Sequence, residues 1–182
     1  MELVDKKVAF VVHNYFEQAE FVQPVQALKE AGAEVYVISA SGKRELRGLN
    51  HVRLADSFQA DYLINEVDPA DYDSLVLPGG AVNADNLRMV PAAREWAQAL
   101  MKARKPLAAI CHAPWLLISS GLANGKKMTS YFTIQDDLRN AGAKWIDEAV
   151  VIDGNLITSR RPDDLPMFCS ALVGALRSPQ PA

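Results

Sequence analysis

The chain has 182 residues, of which 49% are hydrophobic and 23% are charged, and its formal net charge is −3. This composition predicts a globular protein that can bury a core, and it excludes a general attraction to nucleic acid or to anionic membranes. The sequence contains no apolar run long enough to span a membrane, and its N-terminus lacks the apolar stretch of a signal peptide. We therefore expect one cytoplasmic domain over residues 1–182.

The first forty residues predict a strand, a helix and a second strand. Residues 8–12 form an apolar run, and Phe21, Val25 and Leu28 then recur at helical spacing up to a glycine. Glu34–Ser39 reads as the second strand. Such a unit of about thirty residues indicates parallel strands joined by a right-handed crossover.

The middle of the chain carries a third strand and a second helix. Residues 42–59 are polar and mixed, and we predict only a short strand pair there, around Val52 and Leu54. Residues 75–77 read as a strand that runs into a tight glycine turn. A helix is expected after Pro91.

The second half continues the alternation of strands and helices. Its predicted elements are a strand at Leu107–Ile110, a helix from Pro114, a helix at 134–141, a hairpin at 150–158, a helix at 164–176 and a loose tail at 178–182. The whole pattern predicts a doubly wound α/β sandwich, with a mostly parallel central sheet and helices on both faces. Ligands of such folds lie at the carboxyl ends of the strands.

Cys111 is the strongest candidate for a reactive residue. It follows the apolar strand Leu107–Ile110 and precedes Pro114, which suits the first turn of a helix. A sharp strand-to-helix turn presents a nucleophile, and the positive end of a helix favours a thiolate. We therefore predict a nucleophile with a depressed pKa. A buried core cysteine is the alternative, since free cysteines are often buried.

Two carboxylates and two glycines are expected at the same edge of the sheet. Glu17 and Glu20 lie three residues apart at the start of the first helix, where acidic residues are also favoured for the helix dipole alone. A carboxyl buried beside Cys111 should stay protonated and donate a hydrogen bond to the sulfur. Gly79 and Gly80 could offer N–H groups to an oxyanion, or could simply permit the turn.

The other polar candidates have weaker signals. His112 adjoins Cys111 and needs an orienting carboxylate to act as a base, for which Asp85 is a candidate. Cys169 reads as a core residue of the last helix. Arg160 and Arg161 suit an anion, although salt-bridged or solvated arginines are the more common case. The sequence has no metal-spaced cluster of His and Cys, and we expect no metal and no cofactor.

A larger set of residues matches the pattern of a known family: Phe16, Glu17, Glu20, 77–80, 85–88, 109–112, Gly121, Gly125, 129–131, Asp136, Asp137, Ala141, Gly142, Trp145, 150–155, 158–160, Pro162, Asp164 and Leu165. The chain resembles the PfpI family of intracellular cysteine-peptidase-like proteins through these residues. They cover nearly the whole chain in the correct order. The family usually has glycine where this chain has Ala113, a methyl that we expect to narrow the pocket or shift its N–H groups.

The resemblance implies a fold, a site and an assembly. It implies a flavodoxin-like sandwich, a nucleophile at Cys111, a histidine partner at His112 and a glutamate contact at Glu20 rather than Glu17. It also implies that a neighbouring subunit supplies Asp85, so that a homo-oligomer, at least a dimer, carries the site at its interface. We assign Gly79, Gly80, Glu17, Ala113 and Tyr131 to the substrate pocket.

Several functions remain open at this stage. The first is a stress-protective enzyme whose Cys111 attacks reactive carbonyls, as glutathione-independent glyoxalases and protein deglycases do, on a small carbonyl or a glycated protein. The second is a redox-sensing protein whose Cys111 oxidises to sulfenic or sulfinic acid. An intracellular cysteine peptidase and an isocyanide-hydratase-like chemistry are further options. A glutamine amidotransferase is disfavoured, because no histidine follows His112.

Overall fold

The computed structural model describes residues 2–177, so the predicted loose tail at 178–182 lies outside the described residues. The described strands are β1 (Lys7–Val12), β2 (Phe16–Glu17), β3 (Glu34–Ser39), β4 (Glu45–Asn50), β5 (Arg53–Gln59), β6 (Tyr62–Leu63), β7 (Ser74–Leu77), β8 (Leu107–Ile110), β9 (Lys127–Met128), β10 (Lys144–Trp145), β11 (Val150–Asp153) and β12 (Leu156–Ser159). The described α-helices are α1 (Gln18–Ala31), α2 (Ala81–Leu87), α3 (Pro91–Lys102), α4 (Pro114–Ser119), α5 (Gln135–Asn140) and α6 (Leu165–Arg177).

A seven-stranded sheet forms the centre of the molecule, in the order β11-β12-β8-β7-β1-β3-β6. All neighbouring strands in it are parallel except β11, which pairs antiparallel with β12. This is the mostly parallel α/β sheet that the alternating sequence pattern predicts. The hairpin predicted at 150–158 supplies the antiparallel edge.

Two hydrophobic cores cover the two faces of this sheet. Alternate residues of the central strands point to opposite faces, so Ala9 and Val11 enter one core while Phe10 and Val12 enter the other. The first core contains the apolar residues of α2, α3, α4 and α5, and the second contains those of α1 and α6. The strands are therefore buried on both sides, which explains their continuous apolar runs.

The segment between β3 and β6 differs most from the prediction. It folds into a long hairpin, β4 and β5, which joins β2 in a separate three-stranded sheet. Val52 lies in the turn of this hairpin and not in a strand, and His51 beside it has a φ of +55°. The predicted strand pair around Val52 and Leu54 is present, but it is longer than expected, because most of β5 is exposed and lacks the apolar run that would mark its length.

The carboxyl ends of β8, β7 and β1 meet at one edge of the sheet. Cys111 follows β8, Gly79 and Gly80 follow β7, and His13 follows β1. The parallel topology thus places the candidate nucleophile beside a glycine turn.

Among the residues that the structure describes, no helix is both long and apolar enough to cross a membrane.

Candidate active site

Cys111 occupies a sharp turn between β8 and α4. Its φ is +64°, a left-handed conformation that costs a residue other than glycine of the order of 1–3 kcal/mol. Two backbone hydrogen bonds hold it there: its N–H donates to the Ser159 carbonyl at 3.0 Å, and its carbonyl accepts from the Tyr131 N–H at 2.8 Å. The strained elbow that the sequence predicts is present, and its side chain is 6% exposed.

His112 lies directly against the sulfur, although it is the next residue in the chain. Its Nδ1 is 3.1 Å from Cys111 Sγ, and its Nε2 is 3.3 Å from Thr133 Oγ1. The Tyr131 ring stacks on the imidazole with a centroid distance of 4.9 Å. Burial lowers the pKa of His112, so the ring is neutral at neutral pH and can accept a proton from the thiol.

Glu20 is the carboxylate that contacts Cys111. It is fully buried, its Oε2 accepts from the Gly79 N–H at 2.9 Å and lies beside the Cys111 side chain, and its Oε1 has no hydrogen-bond partner among residues 2–177. Burial raises the pKa of Glu20 to about 8 and the Glu17 carboxylate adds to the rise, while the interactions with Cys111 and Gly79 oppose it. Glu20 is therefore protonated at neutral pH, in agreement with the sequence argument.

The charge state of Cys111 differs from the prediction. Burial raises the pKa of the thiol well above its usual value, and an ionised Glu20 raises it further, while the N–H groups of Gly80 and His112 lower it. The sequence argument expects the dipole of helix α4 to lower the pKa of this thiol. Helix α4 has only six residues, and desolvation of the sulfur outweighs its influence. The thiol thus needs a base, and His112 is in contact with it.

Gly79 is required by the packing around Cys111 and Glu20. A Cβ at this position would clash with Glu20 Oε2 and would lie 2.6 Å from the Cys111 Cβ. Its N–H donates to Glu20 Oε2, which favours the alternative in which Gly79 permits the tight turn. Asn83, which is fully buried, fixes the turn by donating to the carbonyls of Pro78 and Gly79 at 3.0 Å each.

Gly79→Ala is expected to lower the free energy of unfolding by about 1–3 kcal/mol, because the added methyl overpacks a rigid site. Urea denaturation of the variant measures this loss. Gly174→Ala is the matched control, since a Cβ there meets open space on α6 and should stabilise the helix by about 1 kcal/mol. Equal stability of Gly79→Ala and the wild type would contradict the packing argument.

Cys111 opens into a pocket of about 840 Å³. The residues that line it are Glu17, Glu20, Leu49, His51, Val52, Gly80, Ala81, Val82, Cys111, His112, Tyr131, Arg161, Pro162 and Asp163. The Glu17 carboxylate accepts from the His51 N–H at 3.0 Å and so ties the tip of the β4–β5 hairpin to the pocket wall. The backbone of Gly80, which has a φ of +90°, passes close to Glu17.

Three of the residues assigned to the site do not line the pocket: Ala113, Asp85 and Gly79. Ala113 is 1% exposed, packs in the core on the α2–α5 side, has right-handed backbone angles and does not line the pocket, so its methyl does not narrow the cavity. Asp85 is exposed on α2, and among residues 2–177 its carboxylate has no hydrogen-bond partner. Cys169 is half-buried rather than a core residue.

Several pocket residues were not predicted from the sequence. Leu49, His51 and Val52 come from the β4–β5 hairpin, which was predicted only as a short strand pair with no role in the site, and Val82 comes from a helix that the sequence did not reveal. Arg161, which the sequence offered as a candidate for binding an anion, and Asp163 follow β12, whose carboxyl end adjoins that of β8; this neighbourhood is the signal that could have placed both residues at the pocket. The described residues contain no group of three or more side chains that could hold a metal ion.

Comparison with known proteins gives the family. The model of the DJ-1/PfpI family matches residues 6–175. Deglycase PfpI of Pyrococcus furiosus is 40% identical over 171 residues, which are 94% of this chain and 99% of that protein. General stress protein 18 of Bacillus subtilis is 40% identical over 164 residues, which are 90% of this chain and 93% of that protein.

A solved structure from Anabaena variabilis matches with a TM-score of 0.88 and 40% identity. It is a two-domain protein with DJ-1/ThiJ/PfpI-like and ferritin-like domains; the match covers 94% of this chain, which spans half of that longer chain. The resemblance to the PfpI family and the predicted fold are confirmed. The chain belongs to the DJ-1/PfpI family.

Proposed function

We propose that this member of the DJ-1/PfpI family is a stress-protective, cysteine-dependent enzyme that acts on small reactive carbonyls, as a glutathione-independent glyoxalase or protein deglycase. The observation that carries the proposal is a group of three neighbouring side chains: the Cys111 sulfur lies against a neutral His112, and a protonated Glu20 lies beside the Cys111 side chain. The name of a relative, Deglycase PfpI, supports the same reaction class.

The first step joins the substrate to the enzyme. Cys111 Sγ attacks the aldehyde carbon while its proton passes to His112 Nδ1, and the carbonyl oxygen takes the proton of Glu20. A thiohemiacetal results, with an ionised Glu20 beside it. A carboxyl group with a pKa of about 8 suits this task, because it donates a proton at neutral pH and is then a competent base.

The following steps move a hydrogen within the bound substrate. For methylglyoxal, the Glu20 carboxylate removes the proton from the former aldehyde carbon while the His112 imidazolium protonates the ketone oxygen, which gives an enediol. Glu20 then returns its proton to the neighbouring carbon, and the hydroxyl on the former aldehyde carbon gives its proton back to His112. The product is a thioester of lactate on Cys111, which water hydrolyses to lactate and the free thiol. A glycated side chain would release its amine from the same carbon, which is the deglycase variant of this chemistry.

The test is the conversion of methylglyoxal to lactate by the purified protein in the absence of glutathione. We expect turnover with lactate as the stoichiometric product. Loss of methylglyoxal without lactate, through simple modification of lysine and arginine side chains, would contradict the proposal.

The second candidate is a redox-sensing protein whose Cys111 oxidises to sulfenic or sulfinic acid. The N–H groups of Gly80 and His112 both act on the sulfur and would stabilise an anionic oxidised form. It ranks second because burial keeps the sulfur as a thiol, which reacts slowly with peroxide. Peroxide titration with peptide mass spectrometry decides it: oxidation of Cys111 before Cys169 supports this role, and equal oxidation opposes it.

We also propose a homo-oligomer in the cytoplasm. His112 Nε2 meets only a distant Thr133 hydroxyl within the described chain, which leaves a place for a carboxylate. Asp85 of the partner subunit would orient the imidazole from there, and the exposure of this residue supports such a contact. Light scattering tests the assembly, and a monomer at assay concentrations would exclude the oligomer.

The proposed location is the cytoplasm, because a reducing compartment suits a thiol nucleophile.

A further inference from the structure

Two consecutive arginines after β12 have different environments. Arg160 is committed to structure: its Nε and one Nη form two hydrogen bonds with Asp164 at 2.9 and 3.0 Å, and its other Nη donates to Asp147 at 2.8 Å. The Arg161 guanidinium has only an ion pair with Asp163 at 3.4 Å, and among residues 2–177 it donates no hydrogen bond. Arg161 therefore keeps its donors for another acceptor.

Arg161 lies where a ligand of Cys111 would meet it. It lines the 840 Å³ pocket together with Cys111, and it also lines an adjacent cavity of about 260 Å³. Tyr131 is the other residue shared by the two cavities. The second cavity thus adjoins the reactive pocket at Arg161 and Tyr131, and the 840 Å³ pocket has room for a substrate larger than methylglyoxal.

The charges around Arg161 permit an anion to bind there. Asp163 and Glu17 are the acidic groups that share its pocket with Glu20, and Asp147 and Arg160 line the second cavity. The Asp163 side chain is 83% exposed, so a ligand carboxylate can replace it while Asp163 turns into solvent. Glu20 is neutral at neutral pH, and the Glu17 carboxylate is held by the His51 N–H.

We propose that Arg161 is a specificity-determining residue that binds a carboxylate on the substrate of Cys111. The planar guanidinium can donate two parallel hydrogen bonds to a carboxylate. This assignment rests on the proposed function and narrows it to carbonyl compounds that carry a carboxylate, such as semialdehyde acids. The aldehyde then lies at Cys111 while the acid group occupies the side of the second cavity.

Two alkylating agents that differ in a carboxylate test Arg161 without requiring any turnover. Iodoacetate and iodoacetamide both react with Cys111 by displacement of iodide by the sulfur, and only iodoacetate is anionic. The measurement is the ratio of the two rate constants at Cys111, followed by peptide mass spectrometry. The variants are Arg161→Gln and Arg161→Lys, with Arg94→Gln on α3 as a control of equal charge change outside the pocket.

In Arg161→Gln, we expect the ratio of the iodoacetate rate constant to the iodoacetamide rate constant to fall about tenfold. This is the factor for losing a charge-assisted hydrogen bond. Arg161→Lys should keep part of the preference, and Arg94→Gln should keep all of it. An unchanged ratio in Arg161→Gln would overturn the proposal. An equal fall of this ratio in Arg94→Gln would also overturn the proposal, because the loss of any one positive charge would then explain the effect.

The substrate class is tested with succinic semialdehyde and butanal, two aldehydes of equal length with and without a carboxylate. Succinic semialdehyde should protect wild-type Cys111 from iodoacetamide more strongly than butanal, and Arg161→Gln should abolish the difference. Equal protection in the wild type would refute the carboxylate class. If the protein turns over no carbonyl compound but the alkylation ratios and the protection by the two aldehydes are as expected, the proposed function fails and the role of Arg161 stands.

Discussion

Cys111→Ser is expected to abolish the conversion of methylglyoxal to lactate, with a loss of about a thousandfold or more in kcat/KM. A serine hydroxyl keeps the shape of the side chain, but it is a much weaker nucleophile and His112 is too weak a base to ionise it. The comparison of lactate formation by the two proteins measures this effect.

Cys169→Ser is the matched control for that experiment. Cys169 is half-buried on α6, away from the pocket, and burial raises the pKa of its thiol to about 11. We expect this variant to retain full turnover. Equal activity of Cys111→Ser and the wild type would place the reaction elsewhere in the molecule and reject the proposed nucleophile.

Glu20→Gln is expected to lower kcat/KM for methylglyoxal by about a hundredfold to ten-thousandfold, the usual contribution of a general acid and base. The amide preserves the volume and can still donate a hydrogen bond to the sulfur, but it cannot transfer a proton. Kinetics over a range of pH measure both the loss and its origin.

The pH profile has a predictable sign. In the wild type the protonated form of Glu20 is active, so kcat/KM should fall as the pH rises through about 8, where the group ionises. On the acid side, kcat/KM should fall only when His112 becomes protonated, below the usual histidine pKa because burial lowers it. In Glu20→Gln the alkaline decline should disappear.

Glu30→Gln is the control on the same helix, because its exposed carboxylate accepts a hydrogen bond from Gln26 alone within the part of the chain that the structure describes. Its pH profile should match that of the wild type. An alkaline decline that persists unchanged in Glu20→Gln would show that another group donates the proton.

The sequence predicted the central sheet well because the strands are buried on both faces. Such strands appear as uninterrupted apolar runs, and β3 and β8 have the bounds that the sequence indicates. The hairpin β4–β5 was largely missed, since its outer strand is exposed along most of its length and no local pattern marks it. Helix α2 was missed because it has only seven residues of mixed character.

The site was predictable to the extent that topology determines it. The ends of parallel strands bring Cys111, Gly80 and Glu20 together, so these positions followed from the order of the elements. The protonation state of Cys111 did not follow, because desolvation depends on packing from both cores. The difference between Arg160 and Arg161 was equally hidden, since it depends on where Asp147 and Asp164 lie in space.

The most direct test is to trap the bond between Cys111 and its substrate. Wild-type protein mixed with methylglyoxal and quenched in acid should carry one methylglyoxal unit on the peptide that contains Cys111, as the thiohemiacetal or the lactoyl thioester. Cys111→Ser should lack this adduct. If lactate forms while the Cys111 peptide remains unmodified at every quench time, the covalent mechanism is wrong.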